Sequence, residues 1–206
     1  MATRVLGRTY FFVSSIVLLL GAACGGPQAT QSTPSPVAPA AATARRVPPG
    51  TTFVYYDIVG TTDGELKAQL SALGPISQTD GRRHAANTAA TYRWNWPGYG
   101  SAACSLGASR VAVETQITMP RWTPPPEASR SLIEKWNRFV EATDLHELGH
   151  AAIAEANVST ITQAIASATC ATADAAATAA LSRIQDLHVQ YDRDTDNGVK
   201  QGAFFR

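Results

Sequence analysis

The chain has 206 residues, 45% of them hydrophobic and 16% charged, and a formal net charge of +1, which is the length of one ordinary domain and leaves hardly room for two. The charge is unevenly placed: residues 1–50 hold Arg4, Arg8, Arg45 and Arg46 and no acid, leaving thirteen basic against sixteen acidic side chains beyond them. A slightly acidic body argues against nucleic acid or an anionic membrane surface as the main partner, because both reward clustered Lys and Arg.

Arg4 and Arg8 precede an apolar run from Tyr10 to Leu20, followed by Gly21-Ala22-Ala23-Cys24. The run is too short to cross a hydrocarbon core of about 30 Å as a comfortable helix and reads as the apolar region of a signal peptide, residues 1–23. Two processing routes fit. The segment resembles a bacterial lipobox, in which Cys24 is lipidated and anchors the protein to a membrane of the cell envelope; Gly21 stands where that pattern prefers Leu. Cleavage after Ala23 as a plain secretory signal also fits, since Gly21 and Ala23 are both small. Residues 24–49 are Pro, Ala, Ser, Thr and Gln with few large apolar side chains, a composition expected to form a flexible tether. The folded part is expected to span residues 50–206.

With Cys24 modified, Cys104 and Cys170 remain as an even pair in an oxidising compartment. A disulfide between them would close a loop of about 65 residues and stabilise by about 4 kcal/mol in the chain-entropy model. The other reading is two buried free thiols.

Thr51–Val59 is rich in β-branched and aromatic residues and reads as a strand ending at Gly60. Thr62-Asp63-Gly64-Glu65 opens a helical pattern with Leu66, Leu70 and Leu73 on one face, stopped by Gly74-Pro75. Extended segments follow at Thr88–Trp96, with Ala90, Tyr92, Trp94 and Trp96 on one side, and at Ser109–Met119, which Pro120 is expected to end. Beyond Pro124-Pro125-Pro126 the period becomes helical. Leu132, Trp136, Phe139 and Val140 mark the buried face of one helix, and Leu145, Leu148, Ala152 and Ala156 that of the next. The Ala-rich stretch from Ile161 to Leu187 forms one long or two shorter helices, and Asp192–Gly202 is expected to be non-helical. The fold class is α+β: a small N-terminal antiparallel sheet packed against a C-terminal helical layer.

His146-Glu147-Leu148-Gly149-His150 is an HExxH motif that takes two of the four histidines in the chain. On a helix, residues i and i+4 project from one face a turn apart, so both imidazoles can converge on one Zn²⁺. Glu147 is then placed to act as general base toward a water that the metal acidifies. The small residues around Gly149 would let another segment or a substrate approach closely. Two paired surface histidines on a solvated helix are the plain alternative.

Several further residues, taken with HExxH, resemble the DUF922 family of bacterial proteins, predicted secreted or envelope zinc-dependent proteases with a zincin-like helix. They are Tyr56-Asp57-Ile58-Val59-Gly60, Trp94 and Trp96, Ile117 to Trp122, Trp136 with Phe139, and the closing Tyr191 to Gly198 block with Gln201-Gly202. The resemblance spans residues 50–206 and implies a zinc-dependent peptidase acting on peptide or protein substrates. Where the family's closing block carries a histidine, a natural third ligand, this chain has Asn197. An amide oxygen is a poor ligand for Zn²⁺, so Asn197, Asp192, Asp194, Asp196 and His188 all stand as candidates for the third position. A catalytically degenerate relative, kept as an envelope binding or structural module, is the alternative that Asn197 raises. Tyr191 is read as packing or as a donor to a tetrahedral oxyanion. His84 is read as a loop residue, and Trp94 and Trp96 as core aromatics or a cleft lining.

Overall fold

The computed structural model describes residues 46–77 and 81–206. The expected leader and Cys24, with most of the expected tether, lie outside them. The first strand, β1, spans Thr51–Ile58, and helix α1 follows at Asp63–Leu73. Thr62 caps α1 through a capping box with Glu65, which satisfies orphan backbone donors at both ends of that first turn. Strands β2, Asn87–Asn95, and β3, Arg110–Trp122, complete a three-stranded sheet in the order β1-β3-β2.

The α+β class holds, but the sheet is mixed. β2 and β3 pair antiparallel, with Thr88 opposite Ile117, whereas β1 and β3 run parallel, with Phe53 opposite Ile117. The expectation of an all-antiparallel sheet assumed a hairpin between the first two strands. Instead α1 and the loop after it carry the chain past the place where a neighbour of β1 would lie, and β3 returns to fill it. Parallel partners need such a long connection. β3 also runs through Pro120, which is paired with Tyr56 on one side. On the other side β2 stops at Asn87, opposite Thr118, so Pro120 lies where the strand has one neighbour and a missing donor is tolerated.

Helix α2 is continuous from Arg130 to Ala156 and is capped by Ser129, where two helices were expected. Nothing between Val140 and Leu145 breaks it, and the hydroxyl of Thr143 donates to the Phe139 carbonyl one turn back at 2.8 Å. The continuous period also moves its buried face. Leu148, Ala151 and Ala154 are buried while Leu145 is 58% exposed, and Ala152 and Ala156 are exposed as well. The Ala-rich stretch divides into α3, Val158–Ala166, and α4, Ala173–Thr195. The interruption contains Cys170, which is bonded to Cys104 of the β2–β3 connection with their Cα atoms 5.8 Å apart. Among the described residues no helix is long and apolar enough to cross a membrane.

One face of the sheet carries the core. Ala90, Tyr92, Trp94 and Trp96 pack against Ile161, Ile165, Leu181 and Ile184 of α3 and α4. Ile117 and Met119 meet Leu148 and Ala151 of α2. Ile58, Leu66, Trp122, Leu132, Trp136 and Phe139 close the other end, with Phe205 packed against Trp136 and Phe139. Helix α2 is thereby held between sheet and α4 along the stretch that bears the motif.

Candidate metal centre

Both motif histidines are buried on α2, each 6% exposed. α4 supplies what faces them. It does not end at Tyr191, as the polar composition suggested, but continues to Thr195, so His188 and Asp192 lie one turn apart on a single face. Asp192 Oδ1 is 3.3 Å from His146 Nε2 and 3.0 Å from His150 Nε2. His146, His150 and Asp192 are all buried, with one ligand atom from each lying within 4.8 Å of the others, a group that could hold a metal ion.

Each imidazole is also engaged at its other nitrogen. His146 Nδ1 lies 3.0 Å from Gln201 Oε1, Gln201 Nε2 donates to the Tyr191 hydroxyl at 3.1 Å, and Tyr191 donates to the His146 carbonyl at 3.3 Å. This circuit needs close contact between helices, and Gly149 provides it: a Cβ there would lie 2.1 Å from the Tyr191 oxygen. His150 Nδ1 lies 3.0 Å from His188 Nδ1.

The segment after α4 turns back through left-handed residues. Asp196, Asn197 and Gly198 have φ of 52°, 51° and 79°, and the Asn197 amide donates to the Asp192 carbonyl at 2.7 Å. The turn brings Gly198 against the His146 ring, where a Cβ would meet Cγ at 3.0 Å. It then delivers Gln201 to His146. Two consecutive non-glycine residues in this region of φ are costly and cluster at functional sites.

His146, His150, His188 and Asp192 lie along a cavity of about 380 Å³ whose wall includes Thr88, Glu147, Asp196 and Asn197. Glu147 is itself 6% exposed. Its Oε2 accepts from the Thr88 hydroxyl of β2 at 2.7 Å, which fixes the carboxylate between sheet and helix. Of the other sequence candidates, His84 lines the cavity, and Asp194 accepts from Gln190 on the surface of α4. The Tyr191 hydroxyl is committed to the circuit around His146, and Trp94 and Trp96 are core. Thr88 and the contacts that Gln201 and His188 make with the two imidazoles had no signal in the residue pattern beyond the place of Gln201 in the closing block.

Burial and hydrogen bonding act in opposite senses on the titratable side chains of the group. Burial works against a charged His146, but the Asp192 hydrogen bond and the nearby Glu147 carboxylate outweigh it and raise its pKa above the ordinary imidazole value. Burial likewise disfavours the Asp192 carboxylate, and the hydrogen bonds from the two histidines outweigh that and lower its pKa. Burial, then the neighbouring His150, depresses His188 to about 3, so it is neutral. The second carboxylate oxygen, Asp192 Oδ2, and His188 Nε2 are buried without a hydrogen-bond partner.

Fold and site thus define an α+β domain with a buried His-His-Asp group, able to hold a metal ion, at the wall of a cavity shared with a carboxylate. The chain belongs to the family described as bacterial protein of unknown function (DUF922), whose model matches residues 53–199. No curated protein and no solved structure matches it.

Proposed function

We propose that the protein is an exported zinc-dependent metallopeptidase, anchored to the cell envelope through Cys24. The observation that carries this reading is the convergence of His146, His150 and Asp192 beside a cavity into which Glu147 is tethered. The donor set fits zinc. Imidazole and carboxylate suit this borderline-soft ion, and ligand atoms at about 2.0 to 2.1 Å from a tetrahedral ion sit about 3.3 Å apart, close to the 3.3 and 3.0 Å found here. The unpartnered Asp192 Oδ2 is a buried acceptor that a cation would satisfy. Asp192 takes the third position, and Asn197 lines the cavity beside it. Export is supported by the leader pattern and by the Cys104–Cys170 disulfide, which an oxidising compartment sustains.

When bound, the ion supplies Lewis acidity, lowering the pKa of water to about 7 and polarising a carbonyl. The residues of the chain do the rest. Thr88 holds Glu147 Oε2, leaving Oε1 to accept the proton of the attacking water and to hand it to the leaving amine. Gln201 holds the His146 ring at Nδ1, so that this ring need not reorient to bind metal. Glu147 and the three grouped side chains are all buried, which strengthens each charge interaction among them.

The test combines metal content with hydrolysis of casein. Wild-type protein purified without added metal is expected to retain stoichiometric zinc and to cleave. Glu147→Gln keeps the zinc and loses activity, Asp192→Asn loses both, and Thr88→Val keeps the zinc while kcat falls about tenfold. Failure to retain zinc at micromolar concentrations overturns the reading. Zinc retention without hydrolysis favours the noncatalytic module that the asparagine at 197 suggests, and activity created by Asn197→His alone would mark the natural chain as a degenerate copy.

A further inference from the structure

His188 has no place among the three grouped ligands, yet it is 7% exposed, lines the cavity and ends in a buried nitrogen with no partner. Its other nitrogen faces His150 Nδ1 at 3.0 Å. Two imidazole nitrogens at that distance share one proton, so one ring donates and the other accepts. His150 Nε2 is the atom that faces Asp192. With that nitrogen given to a metal, the ring keeps its one proton on Nδ1 and must donate it to His188 Nδ1. His188 then carries its own proton on Nε2, the atom the fold leaves without a partner.

We propose that His188 is a positioning residue that fixes the His150 ring and its tautomer for metal binding, by accepting the Nδ1 proton. The inference rests on the metal reading above. Metal-bound histidines elsewhere generally donate to a carboxylate, a backbone carbonyl or water, and these partners raise the basicity of the ligand. Here the acceptor is a neutral ring, presented by the same helix face as Asp192 and one turn before it. α4 thus supplies both a ligand and the group that orients a ligand on α2. The two imidazoles are supported differently, His146 by an amide oxygen and His150 by a ring nitrogen.

The experiment measures zinc dissociation constants for full-length wild type, His188→Leu and His188→Asn by competition with a chromophoric chelator. It is paired with two-bond ¹H–¹⁵N spectra of the zinc-loaded wild type. Leu fills the space but accepts nothing, and is expected to weaken zinc binding about 10- to 100-fold. The side-chain oxygen of Asn takes the place of Nδ1 as acceptor and is expected to hold affinity within about threefold of wild type. The spectra should place the proton of His150 on Nδ1 and that of His188 on Nε2. Leu binding zinc as wild type does, Asn losing as much as Leu, or a proton on Nδ1 of His188 overturns the proposal. Should the Leu variant fail to fold, the Asn variant and the spectra still decide it. A wild type that retains no zinc refutes the metal reading itself, whereas a wild type that binds zinc beside an indifferent Leu variant refutes only the role of His188.

Discussion

Gly149 sits mid-helix with no room for a methyl group. A Cβ there would lie 2.1 Å from the Tyr191 oxygen and 2.4 Å from its Cζ, so Gly149→Ala must push Tyr191 away and with it the Gln201 amide that holds His146. Helix propensity alone would favour Ala by about 1 kcal/mol, and overpacking costs about 1 to 3 kcal/mol. The variant is expected to lose stability in urea denaturation despite the better helix former, and to bind zinc more weakly; a gain in stability would contradict the described packing. Residues of this kind divide by how much of their surroundings a sequence can express. His146, Glu147 and His150 were legible because both imidazoles lie on one helix and the spacing alone puts them together. Asp192 stood only as one of several candidates, since its position depends on how far α4 extends. Thr88 left no trace at all, because its partner is 59 residues away and the contact exists only once sheet and helix pack.

At the scale of elements, the site is a crossing of α2 and α4, each offering a pair of side chains one turn apart. The two charged or titrating ends respond to acidity in opposite senses. His188 stays neutral down to about pH 3, while the same imidazole in the unfolded chain takes a proton near pH 6.5. The unfolded state therefore binds more protons between those values, and stability falls as pH drops from 6.5 toward 3. The raised pKa of His146 has the other sign: its contribution is full below about 6.5 and is lost as pH rises through its folded value. Asp192, held below its ordinary 3.8, adds to the loss in strong acid. Metal-free protein in chelator is thus expected to show its highest melting temperature near pH 6.5, with losses on the order of a few kcal/mol on the acid side. Zinc should shift the maximum upward, because ligand imidazoles must be unprotonated. A melting temperature that keeps rising from pH 6.5 to 4 in chelator would contradict the buried neutral His188. The strands and α1 were readable from alternation and capping. The run of β3 past Pro120, the parallel partner of β1 and the fusion of two expected helices into α2 were not, since each depends on what lies alongside.

Across the whole molecule, the Cys104–Cys170 bond ties the β2–β3 connection to the α3–α4 connection over a separation of 66 residues. A loop of that length is worth about 4 kcal/mol in the chain-entropy model. The double variant Cys104→Ser, Cys170→Ser is expected to lose about that much in denaturant unfolding while still binding zinc, because neither cysteine lines the cavity that holds the histidines. Loss of zinc at unchanged stability would reverse that assignment. The bond between Thr88 and Glu147 has a different consequence at this scale. It ties Glu147 of α2 to the sheet, whereas Asp192 and His188 tie the two motif histidines to α4. The turn of α2 that bears the motif is therefore gripped from both sides, and the proposed site depends on how tightly three layers are clamped together. Hydrostatic pressure, which alters that clamping without changing any side chain, should weaken zinc binding by the proposed site before it unfolds the chain.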